Sequence, residues 1–347
     1  MRVTWYIKGL KESRLSRIKN RFGINSHNFD KHLTSTWNRC LQLIPYLEKM
    51  NIDCRVDNGG DLNTDIAVLI RWHDAGAYDL VSRLKDRKAK TVLDLCVNYF
   101  DETGTFPGGY CVSKPLVEEV RKITPSVDMV ICGSEYIRQR ALEFNPNCVY
   151  LPESIDAQHF VYKKKQREFD RQIPRAIWSG QSVKSFEVAE LYPLLEKRRI
   201  PLTIISNNKP EMPGPYHYIP WSYYTFPRNI VKGDFCISPR RTDNTYDMGH
   251  SHFKIGAFMA QGVPTLAAPL PSYREVIEKT RGGRICESGL AWEEALDEVL
   301  ADRDILWQWS QAAYEGMRSY STENVAKKYA ETFEHLASGL TPRSNHR

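Results

Sequence analysis

A chain of 347 residues is long for one hydrophobic core and suits two domains of moderate size. Hydrophobic residues make up 41% and charged residues 26%, the balance of a globular protein, and no run approaches the roughly 20 apolar residues of a membrane span. The net charge of +6 is too mild for a nucleic-acid-binding surface, so no nucleic-acid partner is expected.

In chain order, Met1 leads directly into a short apolar run, Arg2 to Ile7. No apolar signal segment precedes it, which predicts a cytoplasmic protein. Residues 34–50 have helical spacing, and 65–72 form a strand of the doubly buried kind. The rhythm continues: helix 77–88, strand 90–97, helix 115–123, strand 127–133, then helix 134–144 with Ser134 as its N-cap, and strand 148–152. Such alternation predicts a parallel sheet with helices on both faces.

Residues 152–174 mix Pro with charge and read as a connection. The basic run Lys163-Lys164-Lys165-Gln166-Arg167 reads as a solvated face of it; attraction to anionic lipid headgroups is the functional alternative. The rhythm then restarts: strand 175–180, helix 186–198, strand 201–206, a loop over 207–225, strand 234–239, helix 252–262 and strand 264–269. Four helices close the chain, over 272–280, 292–302, 305–318 and 323–337, and 341–347 read as a frayed tail. The expected domains are 1–160 and 170–320, with a final helix over 321–338. That helix spaces Val325, Tyr329, Phe333 and Leu336 along one face, which must be buried. The eight cysteines form no C-x-x-C pair and read as reduced, buried thiols. His250 and His252 stand two apart in a loop and His217 alone, so no metal site is expected.

In doubly wound sheets, ligands bind outside the carboxyl ends of the strands. The most informative stretch is 251–278, SHFKIGAFMAQGVPTLAAPLPSYREVIE. A polar loop enters a helix whose first turn carries Lys254, and Gly262 ends that helix. Free N–H groups at a helix start plus a cation suit a phosphate or diphosphate; a surface lysine on a packing helix is the alternative.

This stretch resembles the nucleotide-sugar motif of the GT-B, family 4-like (group 1) glycosyltransferases, through Ser251, Lys254, Met259, Ala260, Gly262, Pro264 and Glu275. Residues 149–156 with Phe160 are similar to the family's inter-domain segment, and 176–180 to the first strand and glycine turn of its C-terminal domain. Trp221 with 233–239, 292–296 and Tyr320-Ser321 also match, so the resemblance covers about 126–338. It implies two Rossmann-like doubly wound domains facing a cleft, with the last helix crossing back to the first domain. It further implies a metal-independent enzyme with no cofactor. A nucleoside-diphosphate sugar would be its donor and a glycan or lipid-linked acceptor its partner, with retention of configuration and peripheral membrane association. The role implied is synthesis of a surface polysaccharide, lipopolysaccharide or glycolipid.

The paired acids that many members carry in this motif fall on Gly249 and Ala257, so the donor ribose must be held differently. Lys254 and Ser251 are the leading donor-binding candidates, followed by Arg240, Arg241 and Lys184. Gly180 and Ser182 would bring backbone N–H groups to the phosphates, and Glu275 completes the motif. On the acceptor side, Trp72, His73 and Asp74 follow one strand, and Asn98, Tyr99 and Asp101 another. His73, Asp101 and Asn98 are the catalytic candidates, His73 or Asp101 orienting the acceptor hydroxyl. Residues 106–110 read as a lid or a turn. A sugar-nucleotide epimerase of the same fold, or a catalytically weak partner in a glycan-assembly complex, is the alternative function.

Overall fold

The computed structural model describes residues 1–8, 36–103 and 112–339. The chain divides into two compact units. One comprises Met1–Glu102, Val112–Ser154 and Thr322–Arg347; the other comprises Thr103–Cys111 and Ile155–Ser321. The residues read as a lid, 106–110, and the tail 341–347 lie outside the described residues.

The first unit is built on six parallel strands: β1 (Arg2–Ile7), β2 (Asp53–Asp57), β3 (Ile66–Ile70), β4 (Lys90–Leu95), β5 (Met129–Cys132) and β6 (Cys148–Tyr150). Their order is β2-β1-β3-β4-β5-β6. All five residues of β3 are buried, as a central strand covered on both faces requires. The helices are α1 (Ile44–Glu48), α2 (Ala75–Asp86), α3 (Lys114–Ile123) and α4 (Glu135–Ala141). Ser134 does cap α4, accepting from Ile137 N at 3.3 Å. The helix expected over 34–50 is broken: a π-helical segment, Trp37–Leu41, precedes α1, whose first turn holds Pro45.

The second unit repeats the plan with β7 (Ala176–Ser179), β8 (Leu202–Ser206), β9 (His217–Pro220), β10 (Phe235–Ser238), β11 (Thr265–Ala267) and β12 (Gly283–Ile285). All are parallel, in the order β12-β11-β10-β7-β8-β9. Its helices are α5 (Phe186–Lys197), α6 (Phe226–Ile230), α7 (Thr245–Met248), α8 (Phe253–Met259), α9 (Pro271–Thr280), α10 (Gly289–Ala301) and α11 (Arg303–Gly316). Gly262 follows α8 with φ +73°, the left-handed conformation a helix terminus favours glycine for.

The chain then returns to the first unit as α12 (Thr322–Ala337). The expected apolar face is the buried one. Val325, Tyr329, Phe333 and Leu336 join the cluster formed by Val3, Trp5 and Ile66, and the Phe333 ring meets Trp5 edge-on at 5.8 Å. The Tyr329 hydroxyl donates to Asp94 Oδ2 at 3.1 Å. Asp94 also pairs with Arg39, whose Nη1 donates to the Leu151 carbonyl at 3.1 Å; both charged side chains are fully buried.

Two expectations need correction. Three strands went unread: β2, β12, and β9 inside the supposed loop 207–225. All three lie at sheet edges. The basic run is not wholly a solvated face. Lys164 is buried and its Nζ bonds Asp234 Oδ1 at 3.0 Å, so it is part of the second unit's core. The Lys163 ammonium lies 3.9 Å over the Tyr314 ring. The described cysteines, Cys40, Cys54, Cys96, Cys132, Cys148, Cys236 and Cys286, are buried and free.

Candidate functional site

In the second unit β7 and β10 lie side by side, and the chain winds away from them in opposite directions. The loops after the two strands therefore diverge and leave a crevice at their carboxyl ends. After β7 come Gly180, Ser182 and Lys184, and Glu187 stands in the first turn of α5. After β10 come Arg240, then α7 with Asp247, then His250 and α8 with Lys254.

These side chains form one charged cluster. Arg240 Nη1 donates to Glu187 Oε1 and to Asp247 Oδ1, each at 3.2 Å, with all three side chains nearly inaccessible. Lys184 Nζ lies 4.0 Å from Asp247 Oδ1 and 5.2 Å over the Tyr246 ring. His250 Nδ1 donates to the Tyr246 carbonyl at 2.9 Å and lies 3.7 Å from Asp247. Lys254 Nζ sits 4.7 Å over the Trp178 ring; among the described residues no carboxylate lies within ion-pair distance of it. Tyr273, from α9, faces Arg240 and Ser238 without a well-shaped hydrogen bond to either. Glu187 Oε2, Ser238 Oγ and Arg240 Nε are likewise buried without a hydrogen bond among the described residues.

Burial, then the nearby Arg240 guanidinium, pull the Lys254 ammonium down to about 7 and the Lys184 ammonium down to about 8. The same two causes lower His250 well below the usual range and keep its imidazole neutral. Arg240 is held above its ordinary value despite its burial, chiefly by Tyr273 and the two carboxylates, and stays charged.

The turn candidates fare differently. A Cβ on Gly180 would lie 2.6 Å from the Trp178 ring, so the glycine is required by that side chain's fold-back. Its N–H donates to the Ile205 carbonyl at 3.1 Å, and the Ser182 N–H to Asn207 Oδ1 at 2.8 Å. Neither N–H is free for a phosphate, contrary to expectation. Arg240 is likewise no open cation, since two carboxylates hold it. Arg241, at the surface, pairs with Asp243. Ser251 Oγ accepts from Phe253 N at 3.4 Å at the start of α8. Glu275 accepts from the Tyr320 hydroxyl at 3.3 Å, on the side of α8 where Tyr320 packs on His252.

In the first unit the residues after β3 and β4 are mostly structural. Asp74 caps α2, accepting from Gly76 N at 2.9 Å and Ala77 N at 3.3 Å, and it pairs with Lys8. It also takes the Trp72 indole N–H at 3.1 Å. Asp101 is clamped by Arg140, with Arg121 at 3.9 Å. These arginines and Asn98 more than offset its partial burial, so its carboxyl is depressed. Asn98 is buried; its amide donates to Asp101 Oδ2 at 3.0 Å and accepts from Phe100 N at 3.1 Å. Both brace the loop after β4, where a catalytic role was expected. His73 differs: its ring lies 5.2 Å from Tyr99, its Nδ1 is 3.9 Å from Glu119, and burial holds it neutral.

No protein-family profile matches the chain, and no curated protein does. Solved structures do. The HepE protein of Anabaena, crystallised with UDP and glucose, matches with a TM-score of 0.63 at 11% identity, over 97% of this chain and 100% of that one. Sucrose-phosphate synthase from Thermosynechococcus elongatus matches at 0.63 and 10% identity, over 86% and 78%. WaaG, a glycosyltransferase involved in lipopolysaccharide biosynthesis, matches at 0.55 and 10% identity, over 96% and 99%.

The fold is GT-B.

At such identities the likeness is one of fold, and the GT-B frame leaves the chemistry to this chain's own residues. Within that GT-B second unit the structure brings together Lys254, Lys184 and Arg240. It adds Glu187, Asp247, His250, Tyr246 and Trp178, which sequence reading missed. Glu187 looks like an ordinary first-turn carboxylate. Asp247 sits two residues before Gly249, where the motif places an acid; that offset was the one available signal.

Proposed function

We propose that the chain is a glycosyltransferase that moves a sugar from a nucleoside-diphosphate sugar to a glycan or lipid-linked acceptor, with retention of configuration. The observation that carries this reading is Lys254. It is a part-buried cation with no carboxylate within ion-pair distance among the described residues, at the carboxyl end of the central strands of a GT-B second unit. Glycosyl transfer expels a nucleoside diphosphate, and fixed cations aimed at that developing charge lower the barrier. Lys254 and Lys184 would contact the diphosphate. Arg240 would hold Glu187 and Asp247 in ion pairs beside the two lysines, and Ser251 would hold the entry to α8. On the acceptor side, neutral His73 is the residue suited to orient a hydroxyl. HepE and WaaG support the class: one was crystallised with UDP and glucose, the other is a glycosyltransferase of lipopolysaccharide biosynthesis. Synthesis of a surface glycan is the corresponding role.

The test is a binding panel of UDP-glucose, GDP-mannose, ADP-glucose and dTDP-glucose by thermal shift, followed by turnover of the binder with glycan and lipid-linked acceptors in EDTA. Transfer to an acceptor, with the product anomer read by NMR, supports the proposal. Epimerisation without transfer, or binding without turnover, replaces it with the corresponding alternative. Loss of turnover in EDTA, restored by Mg²⁺, would remove the metal-independent part. Co-sedimentation with anionic vesicles tests whether a lipid-linked acceptor holds the protein at a membrane.

A further inference from the structure

We propose that a diphosphate enters the second unit's site together with protons, taken from the solvent onto Lys254 and Lys184. The inference rests on the donor-site reading above and adds a pH control to it.

Three basic side chains, Lys184, Arg240 and Lys254, face two carboxylates, Glu187 and Asp247. Arg240 claims both carboxylates at 3.2 Å. Lys184 lies 4.0 Å from Asp247, which also faces His250, and Lys254 sits over the face of Trp178 with no carboxylate within ion-pair distance among the described residues. Every element packed around Lys254 contributes. Cys236 comes from β10 and is a neutral thiol pushed up to about 12 by burial. Glu187 comes from α5, Arg240 from the loop after β10, and Lys184 from the turn after β7. His250 is neutral, and Tyr273 holds its proton in its buried place on α9. The third of these positive charges is therefore uncompensated until an anion arrives.

The lowered values, about 7 for Lys254 and about 8 for Lys184, agree with that geometry. A bound diphosphate, with two negative charges, restores both ammonium groups toward the ordinary lysine range. Between pH 7 and that range the complex thus holds more protons than the free protein. Binding takes up protons there, and affinity falls as pH rises. Below about pH 6 both lysines are already charged, and the effect vanishes.

Calorimetry with UDP-glucose, GDP-mannose, ADP-glucose and dTDP-glucose tests this in HEPES and Tris, whose ionisation enthalpies differ. The diphosphate of these sugars has no group titrating between pH 6 and 9. The expected result near pH 8 is uptake of about one proton, with affinity at least about tenfold weaker at pH 8.5 than at 6.5. Lys254→Arg and Lys184→Arg, which stay charged, should each remove part of the uptake. Binding with a buffer-independent enthalpy and a flat pH profile overturns the inference while leaving the donor site standing. Failure of all four nucleotide sugars to bind overturns the donor-site reading itself.

Discussion

Lys254 and His252 stand two residues apart, and burial pushes both toward the neutral form. Lys254 sits above Trp178, with no carboxylate beside it among the described residues. Its Ala variant should stay folded and lose at least tenfold in nucleotide-sugar affinity, since a charge-assisted hydrogen bond is worth about 1.5–3 kcal/mol. Unchanged affinity by calorimetry would remove Lys254 from the site. His252 is buried against the Tyr320 ring at 4.5 Å, and neither ring nitrogen has a hydrogen-bond partner among the described residues. Burial, then nearby Lys279, lower it to about 3. The unfolded chain, titrating near 6.5, therefore binds a proton that the native state refuses between about pH 6.5 and 3. Stability is full above that window and lost as pH falls through it, by about 1.4 kcal/mol per unit at most. His252→Phe should flatten the acid limb of a urea-midpoint profile between pH 7 and 5; an unaltered limb would show that this ring does not set it. His250 retains a share of that slope. At this scale a motif residue such as Lys254 was legible in the sequence. Glu187 and Asp247 were not, because separate segments meet Arg240 only through the fold, and Lys164 was hidden inside a run of like charge.

Elements were legible where burial is two-sided. Residues 66–70 are apolar throughout because both faces of β3 are covered. The edge strands are exposed in part, and β2, β9 and β12 carry polar or charged residues such as Arg55, His217 and Arg284, which mask the pattern. The join of α12 to its sheet also uses a polar link that periodicity does not reveal. Arg39, Asp94 and Tyr329 meet inside the first unit, from a π-helical segment, a central strand and α12. Asp94→Ala leaves the Arg39 guanidinium buried and unpaired, at an expected cost of about 3–5 kcal/mol by chemical denaturation. The double variant Arg39→Met with Asp94→Leu should recover most of that. A loss under about 1 kcal/mol for Asp94→Ala would mean that water reaches the arginine.

Over the whole molecule, the first unit is assembled from separated stretches of chain, and the second carries Ile155–Ser321 as one continuous segment. Removing Thr322–Arg347 strips Val325, Tyr329, Phe333 and Leu336 from the first core. Each such side chain contributes roughly 1.5–3 kcal/mol, so together they rival the whole stability of a typical domain. The truncated protein should lose the first unit and keep the second. Limited proteolysis is expected to leave a resistant fragment close to 155–321; equal digestion of both units would show that they do not fold independently.

The long segment's two ends also meet: Ile155 N donates to the Tyr320 carbonyl at 2.8 Å, and Ile155 bridges to Ser321 in parallel. On the ribosome this closure reverses the order in which the halves are finished. The first unit starts first, yet it cannot close over Trp5 until α12 emerges. Thr322 follows Ser154 by 168 positions, roughly ten to thirty seconds of elongation. The second unit is finished just ahead of the first, because its closing residues, Tyr320 and Ser321, emerge immediately before Thr322. A nascent chain paused within residues 155–321 therefore presents an open, apolar first sheet, the kind of surface that chaperones bind.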